Sequence, residues 1–114
     1  MKDDRVYLLH MRDALLQLKS YHAEGMDNFF GDRKTQDATV RNFEVLGEAA
    51  KNLSPTFREQ HVHVPWKPIA GLRDKLIHEY FAVNLELIGD VLEEQIPSLL
   101  DAIEAMLRDL PETQ

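Results

Sequence analysis

The sequence has no cysteine, no long hydrophobic run and few positive charges. Without cysteine, neither a disulfide framework nor a thiolate metal site can form. No apolar run reaches the roughly 18 to 20 residues that are needed to cross a bilayer. The N-terminal residues lead into an amphipathic stretch and not into the apolar core of a signal peptide. We therefore expect a cytoplasmic protein with no membrane partner.

Size and charge narrow the class of protein further. The 114 residues, of which 44% are hydrophobic, predict one domain over residues 1–114 with a single hydrophobic core. The formal net charge is −7 at pH 7. Broad, nonspecific binding of nucleic acid needs a positive surface, so this charge argues against that class of function. A local basic cleft is still compatible with a net negative charge.

Hydrophobic residues repeat at helical spacing along most of the chain, and no strand pattern is found. The first stripe predicts a helix over about 4–23 that ends at Gly25, followed by a connector over 26–34 rich in turn residues. A second stripe predicts a helix over about 35–53. The apolar positions of the two stripes are Leu8, Leu9, Met11, Leu15, Leu16, Leu18, Phe43, Leu46, Ala50 and Leu53.

A short helix is predicted next. Ser54 is a typical N-cap, Pro55 suits the first helical position, and the helix should extend through Gln60. The following residues alternate and contain proline, so residues 61–65 are predicted to form a loop.

The second half of the chain continues the helical pattern. A helix should begin near Trp66 and reach Ile77 or Tyr80, and Asn84 can cap the last helical stripe. Pro97 lies inside that stripe and should kink or split it. Short connections between four main helices predict an all-α, up-and-down four-helix bundle with a short additional helix. The core positions in this half are Trp66, Ile69, Leu72, Leu76, Leu85, Ile88, Leu92, Ile96, Leu99, Ile103 and Leu107.

Motifs for cofactors and metals are missing. His61 and His63 could chelate a divalent metal, but there is no third ligand at metal spacing and no His-Glu-x-x-His motif. We expect these two histidines to be solvated. There is also no glycine-rich phosphate loop, so we expect neither a cofactor nor nucleotide hydrolysis of the P-loop type.

The side chains that could carry chemistry are concentrated in residues 71–81. Arg73 is followed by four residues and then His78, and Tyr80 comes two positions later. On an ideal helix Arg73 and Tyr80 lie nearly on one face, whereas His78 lies about 140° around from Arg73. Arg73 and His78 can therefore reach one phosphate only if the helix end distorts or a second subunit completes the site.

Arg73 and His78 suit RNA cleavage without a metal. A histidine titrates near neutrality, so it can take the proton from a ribose 2′-hydroxyl or protonate the leaving 5′-oxygen. An arginine stays charged, and the N–H groups of its planar guanidinium can stabilise the negative charge that develops on the phosphate. From spacing alone, however, such a stretch is more often the polar face and last turn of a surface helix. The residues by themselves leave both interpretations open.

Arg73, His78 and Tyr80 resemble the R-x4-H-x-Y signature of HepT toxins, members of the HEPN superfamily that pair with minimal nucleotidyltransferase antitoxins. The resemblance extends from about residue 5 to residue 103 in the family's order and spacing. One departure is Gly89, where many relatives carry a bulky aromatic residue, so we expect the last helix to pack differently there. The further matching stretches are Gly47-Glu48-Ala49, Pro65-Trp66, Ile69-Ala70-Gly71-Leu72 and Ile96-Pro97-Ser98-Leu99.

This resemblance implies that the protein is the toxin of a toxin–antitoxin system and a metal-independent endoribonuclease. Arg73 and His78 would be the catalytic pair, with Asp74 as the polar residue that commonly follows the arginine. Family members dimerise and place two signatures around one cleft, so a second His78 could supply the missing acid or base. Because the chain is acidic, RNA affinity would depend on a few basic side chains, with these candidates: Arg41, Lys67, Arg73 and Lys75.

Two further residues have roles that the resemblance suggests or allows. Tyr80 resembles the tyrosine that the antitoxin modifies with AMP, and without the resemblance it would be a core or interface aromatic residue. Glu48 could point toward the cleft and orient Arg73 or Lys75, or it could be an ordinary carboxylate on a helix surface.

Two other functions remain as alternatives. A small acidic bundle that presents one histidine could be a histidine phosphotransfer domain, but such domains usually carry His-x-x-Lys-Gly, and the residues after His78 do not match. A HEPN domain without catalysis could serve as a binding scaffold, although the presence of both Arg73 and His78 argues against it.

Overall fold

The chain is built from helices. A computed structural model describes residues 3–72 and 85–110, apart from the side chain of Leu87. These residues form seven helices and no strand, which confirms the predicted all-α bundle. None of these seven helices combines the length and the apolar character that crossing a membrane requires. In chain order they are α1 (Asp4–Ala23), α2 (Met26–Gly31), α3 (Arg33–Asn52), α4 (Pro55–Gln60), α5 (Trp66–Ala70), α6 (Leu85–Glu94) and α7 (Ile96–Asp109).

Helix α1 lies between α3 and α7 and packs along both. The start of α1 is tied to the end of α3, because the Asp4 carboxylate accepts hydrogen bonds of 2.8 Å from the backbone N–H and the hydroxyl of Ser54. It is also close to the end of α7, where Arg5 donates to the carbonyl oxygen of Leu107 at 3.4 Å. The start of α1 thus meets the ends of α3 and α7, as in an up-and-down bundle. Its fully buried side chains are Leu8, Met11, Leu15 and Leu18.

The predicted connector over 26–34 is wrong, because its first six residues form α2. Gly25 adopts a φ of 97°, which allows the chain to turn between α1 and α2. Phe29 is fully buried, and its ring meets that of Phe30 edge to face at 5.2 Å. Six residues make fewer than two helical turns, which is too short to show a hydrophobic period in the sequence. In addition, Asp, Asn and Gly are residues that commonly form turns, so the sequence predicts a turn here. Burial of Phe29 against distant residues is what stabilises the helix.

The start of α3 is fixed by a side-chain cap. Asp32 accepts hydrogen bonds from the backbone N–H of Thr35 at 3.3 Å and from its hydroxyl at 2.6 Å. The hydrogen bond from the Thr35 hydroxyl is the main cause that lowers the pKa of Asp32. The cap places the helix start at Arg33, close to the position that the hydrophobic pattern predicts.

Most other helix predictions are confirmed. Ser54 caps α4 through the N–H of Phe57 at 3.1 Å, and α5 begins at Trp66. The last stripe is split at Gln95, since α7 begins directly afterwards with Pro97 in its first turn. One predicted apolar position of the first stripe is not buried: Leu16 is 43% exposed and does not belong to the buried face of α1.

Two helix predictions lie partly or wholly outside the described residues. The helix that begins at Trp66 ends at Ala70, and Gly71 forms its C-cap, so the prediction of one continuous helix to Ile77 or Tyr80 is wrong at Gly71. The rest of that predicted helix, after Leu72, lies outside the described residues. The predicted cap Asn84 is likewise outside them, and the description resumes at Leu85.

Gly89 on α6 is buried against α2. A Cβ atom at this position would lie 3.0 Å from Cε of Met26, 3.2 Å from Cζ of Phe30 and 3.5 Å from Cε2 of Phe29. The side chains of α2 therefore occupy the space that an aromatic residue at position 89 would need. At this contact α2 supplies the aromatic side chains, and the glycine of α6 leaves the space that they occupy.

We predict that Gly89→Phe destabilises the protein by about 1–3 kcal/mol, because the new ring overpacks the contact with α2. Chemical denaturation followed by circular dichroism measures this loss. Gly89→Ala is the control and should be nearly neutral, since its nearest neighbour is the flexible end of Met26 and alanine favours helix. Adding Phe30→Ala should recover much of the stability of Gly89→Phe. A fully stable Gly89→Phe protein contradicts the assigned packing.

Candidate functional site

Four of the predicted site residues lie outside the described residues, namely Arg73, His78 and Tyr80 of the signature and the adjacent Asp74. Their assignment therefore rests on the sequence. The structure describes the two flanks of this segment, which are α5 on one side and α6 on the other.

The flank before the signature is anchored by a buried tryptophan. Trp66 donates a hydrogen bond from its indole N–H to the carbonyl oxygen of His61 at 2.9 Å, and its ring meets Phe57 at 6.3 Å. Trp66 and Ile69 are buried, and the half-buried Leu72 packs against the same core. The fold thus fixes the chain up to the residue immediately before Arg73.

The flank after the signature is anchored in the same core. Leu85 is partly buried against it, and Ile88 and Leu92 are buried. Helix α6 contacts α1 and α2, whereas α5 packs on α3. The segment from 73 to 84 therefore connects two helices that are held by one hydrophobic core.

Glu48 lies on the exposed side of α3, between the buried residues Gly47 and Ala49. Since α5 packs on α3, Glu48 is carried by the helix next to the one that leads to Arg73. The buried Gly47 is consistent with close packing at this position. The exposure of Glu48 fits both a role in orienting a basic residue and an ordinary surface position.

The expectation that both loop histidines are solvated is correct for His63 and wrong for His61. His63 is exposed, whereas His61 is half-buried with its ring 4.5 Å from that of Phe57. The two imidazole rings are 5.9 Å apart. Within the described residues, no three His, Cys, Asp or Glu side chains are grouped so that they could hold a metal ion. His61 therefore belongs to the packing of the turn between α4 and α5.

A groove of about 640 Å³ runs between α4 and α5, and sequence reasoning did not predict it. We call it the α4–α5 groove. Its charged lining residues are Arg58, Glu59 and Lys67, and its apolar lining includes Val62, Pro65 and Pro68. One signal in the sequence points to it: residues 60–73 contain no Asp or Glu, and this is the longest such stretch of the chain. Arg41, another candidate for RNA contact, is exposed on α3 and does not line this groove.

Comparison with known proteins places the chain among ribonuclease relatives. The family model described as “Ribonuclease HepT-like” matches residues 11–106. A “Putative RNase” of Caldanaerobacter subterraneus subsp. tengcongensis is 41% identical over 95% of this chain and 97% of its own length. A “Putative RNase” of Methanocaldococcus jannaschii is 39% identical over 96% of this chain and 91% of its own. The “Probable ribonuclease HepT” of Thermococcus cleftensis is 37% identical over 88% and 92%. No solved structure matches this chain significantly.

The matched range extends from within α1 to within α7 and contains the whole segment between α5 and α6. It therefore includes both anchored flanks together with the arginine, histidine and tyrosine of the signature. The resemblance seen in the sequence is confirmed: this chain belongs to the HepT-like ribonuclease family.

Proposed function

We propose that this protein is a cytoplasmic, metal-independent endoribonuclease and the toxin component of a prokaryotic toxin–antitoxin system. The observation that carries the proposal is the family match over residues 11–106, which spans Arg73 and His78 at the spacing of the family signature. The names of the relatives, which describe ribonucleases, support the same activity. The buried flank formed by Trp66, Ile69 and Leu72 supports a firmly held start of the catalytic segment.

The proposed reaction is attack of a ribose 2′-oxygen on the adjacent phosphorus. His78 accepts the proton of the 2′-hydroxyl, the new P–O2′ bond forms, and the P–O5′ bond breaks. A second acid, in this proposal His78 of the other subunit of a homodimer, protonates the leaving 5′-oxygen. Arg73 binds the phosphate and stabilises the extra negative charge of the transition state. The products are a 2′,3′-cyclic phosphate and a 5′-hydroxyl. Asp74 and Glu48 serve as supporting residues that orient the basic side chains.

We predict that His78→Ala lowers the rate of RNA cleavage by about 10²- to 10⁴-fold, because the general base is lost. Arg73→Ala should lower it by about 10²- to 10³-fold, because transition-state charge is no longer stabilised. Both variants should keep their helical circular dichroism. Gel analysis of cleaved RNA measures the rate, and mass spectrometry of the products should show the cyclic phosphate.

Two controls sharpen this test. His10→Ala and Lys19→Ala change exposed residues on α1 and should leave cleavage unchanged. Cleavage should survive EDTA, since His78 and Arg73 supply the proton transfer and charge stabilisation that a metal would otherwise provide. Loss of activity on chelation, or full activity of either catalytic variant, contradicts the mechanism. Phosphoryl transfer to His78 without cleavage indicates the signalling alternative, and neither activity indicates a binding scaffold.

We also predict a homodimer formed through α3 and the helix that bears Arg73, with two His78 residues in one cleft. Two-fold symmetry is the usual arrangement of small homo-oligomers. Val45 supports this interface because it is a large apolar side chain on α3 that is 37% exposed. Val45→Glu should raise the dimer dissociation constant by about tenfold or more, since it places a charge in a desolvated contact. Sedimentation velocity measures the shift.

Val6→Glu is the matched control for the dimer. Val6 lies on α1 and is 42% exposed, so the same substitution there should leave the dimer intact. A wild-type protein that sediments as a monomer at micromolar concentration excludes this site architecture. An equal effect of the two substitutions points to a nonspecific consequence of added charge.

The proposed partner is a nucleotidyltransferase antitoxin that inactivates the toxin at Tyr80. The enzyme transfers AMP from ATP to the tyrosine hydroxyl, and pyrophosphate leaves. Tyr80 lies seven positions after Arg73 in the sequence. On a helix, the added phosphodiester would lie near the guanidinium that otherwise binds RNA phosphate, so it blocks and neutralises the site.

We predict that Tyr80→Phe is folded, cleaves RNA and remains toxic when the nucleotidyltransferase is co-expressed, because the acceptor hydroxyl is absent. Intact mass spectrometry should show the added AMP on the wild-type chain and not on the variant. Tyr7→Phe and Tyr21→Phe, the other two tyrosines, are the controls and should still be modified and silenced. A modification that maps to another residue shows that Tyr80 has a structural role instead.

A further inference from the structure

Two basic side chains, Arg58 and Lys67, line the α4–α5 groove. Within the described part of the chain, neither Arg58 nor Lys67 takes part in a salt bridge. Among the described residues, the buried Nε atom of Arg58 has no hydrogen-bond partner. Arg58 as a whole is partly exposed on α4, and Lys67 is exposed on α5.

The local charge around the groove is opposite to that of the whole molecule. The protein has a formal net charge of −7, yet residues 60–73 contain no acid, and Glu59 is the one carboxylate of the groove lining. Charges separated by more than the Debye length of about 8–10 Å are largely screened at physiological salt. A polyanion in the groove therefore interacts mainly with the charges of the lining, in which Arg58 and Lys67 outnumber Glu59, and less with distant carboxylates.

The groove is lined by residues that come shortly before the proposed catalytic residues in the sequence. The backbone N–H of Gly71 donates to the carbonyl oxygen of Lys67 at 3.0 Å, so Gly71 lies one turn beyond the lysine and two positions before Arg73. Lys67 therefore lies six positions before Arg73 in the sequence, and in the proposed arrangement a strand bound at the signature places a neighbouring phosphate at Lys67. The apolar surface of Val62, Pro65 and Pro68 suits the ribose and base faces of an unpaired strand.

We propose that the α4–α5 groove is an RNA subsite, in which Arg58 and Lys67 bind phosphates of the single strand that flanks the cleaved bond. The inference rests on the proposed ribonuclease function and adds a binding site remote from the signature. Arg58 and Lys67 are positioning residues here: they hold the substrate strand and take no part in bond cleavage.

The test measures binding of two 2′-O-methyl oligonucleotides, which lack the attacking hydroxyl, by fluorescence polarisation. One spans only the cleaved bond, and the other is several times longer. For the longer one, Arg58→Gln with Lys67→Gln should weaken binding about tenfold or more, since hydrogen bonds to charged groups contribute about that factor. The slope of log binding constant against log salt concentration should become shallower by about 1.4, because each single-strand phosphate contact contributes about 0.7 to that slope. Binding of the short oligonucleotide should not change, because it does not extend into the groove.

Lys19→Gln with Arg108→Gln is the matched control. It also removes one lysine and one arginine, both exposed on α1 and α7, and it should leave binding of the longer oligonucleotide unchanged. Equal weakening by both double variants shows a net-charge effect and overturns the subsite. Lys67→Gln alone should give about half the change in salt dependence, which keeps the test valid if Arg58→Gln unfolds.

The same measurements separate this proposal from the ribonuclease function. If the wild-type protein cleaves RNA and the groove variant binds the longer oligonucleotide equally well, the groove inference fails while the function stands. If the wild type does not cleave, the function fails, and the binding data still decide whether the groove holds RNA. Unchanged RNA binding with loss of nucleotidyltransferase binding identifies the groove as a protein-docking surface and overturns the proposal.

Discussion

Burial of one face of α1 is the constraint on which the structure depends. Leu8, Met11, Leu15 and Leu18 are fully buried, and full burial of such a side chain contributes about 1.5–3 kcal/mol. Helices α3 and α7 pack along α1, and α5 in turn packs on α3. Because α6 also contacts α1, both flanks of the 73–84 segment take their positions from this one helix. The described residues on either side of positions 73–84 are thus held by core packing around α1.

The charges close to a bound RNA strand affect its binding more than the net charge of the whole protein does. A net charge of −7 would repel a polyanion if all charges acted at equal range, but solvent and salt screen those that lie far from the bound strand. The α4–α5 groove combines Arg58, Lys67 and a stretch without acids, directly before the residue proposed to bind the scissile phosphate. An acidic surface elsewhere disfavours nonspecific binding, so RNA affinity would depend on these few contacts and on Arg73.

The contact between α2 and α6 is a second packing constraint of the structure. A glycine at position 89 leaves a gap in α6, and Met26, Phe29 and Phe30 fill it from α2. The same helix buries Phe29 completely, so its stability and the position of α6 depend on one another. Helix α6 is described from Leu85 onward, shortly after Tyr80 in the sequence, and this contact therefore helps to anchor the residues that follow the predicted signature.

Local sequence was sufficient for the helical class, the bounds of α1 and α4, the break before Pro97 and the family signature, because these depend on residues within one or two turns of each other. The roles of Arg73, His78, Asp74, Tyr80 and Glu48 were likewise suggested by spacing and resemblance, and they stay predictions. Other features depend on residues far apart in the chain. Helix α2 forms because Phe29 is buried by distant partners, His61 packs on Phe57, Leu16 faces solvent, and the α4–α5 groove arises where two short helices meet. No local period encodes such contacts, since they result from the way the helices pack in three dimensions.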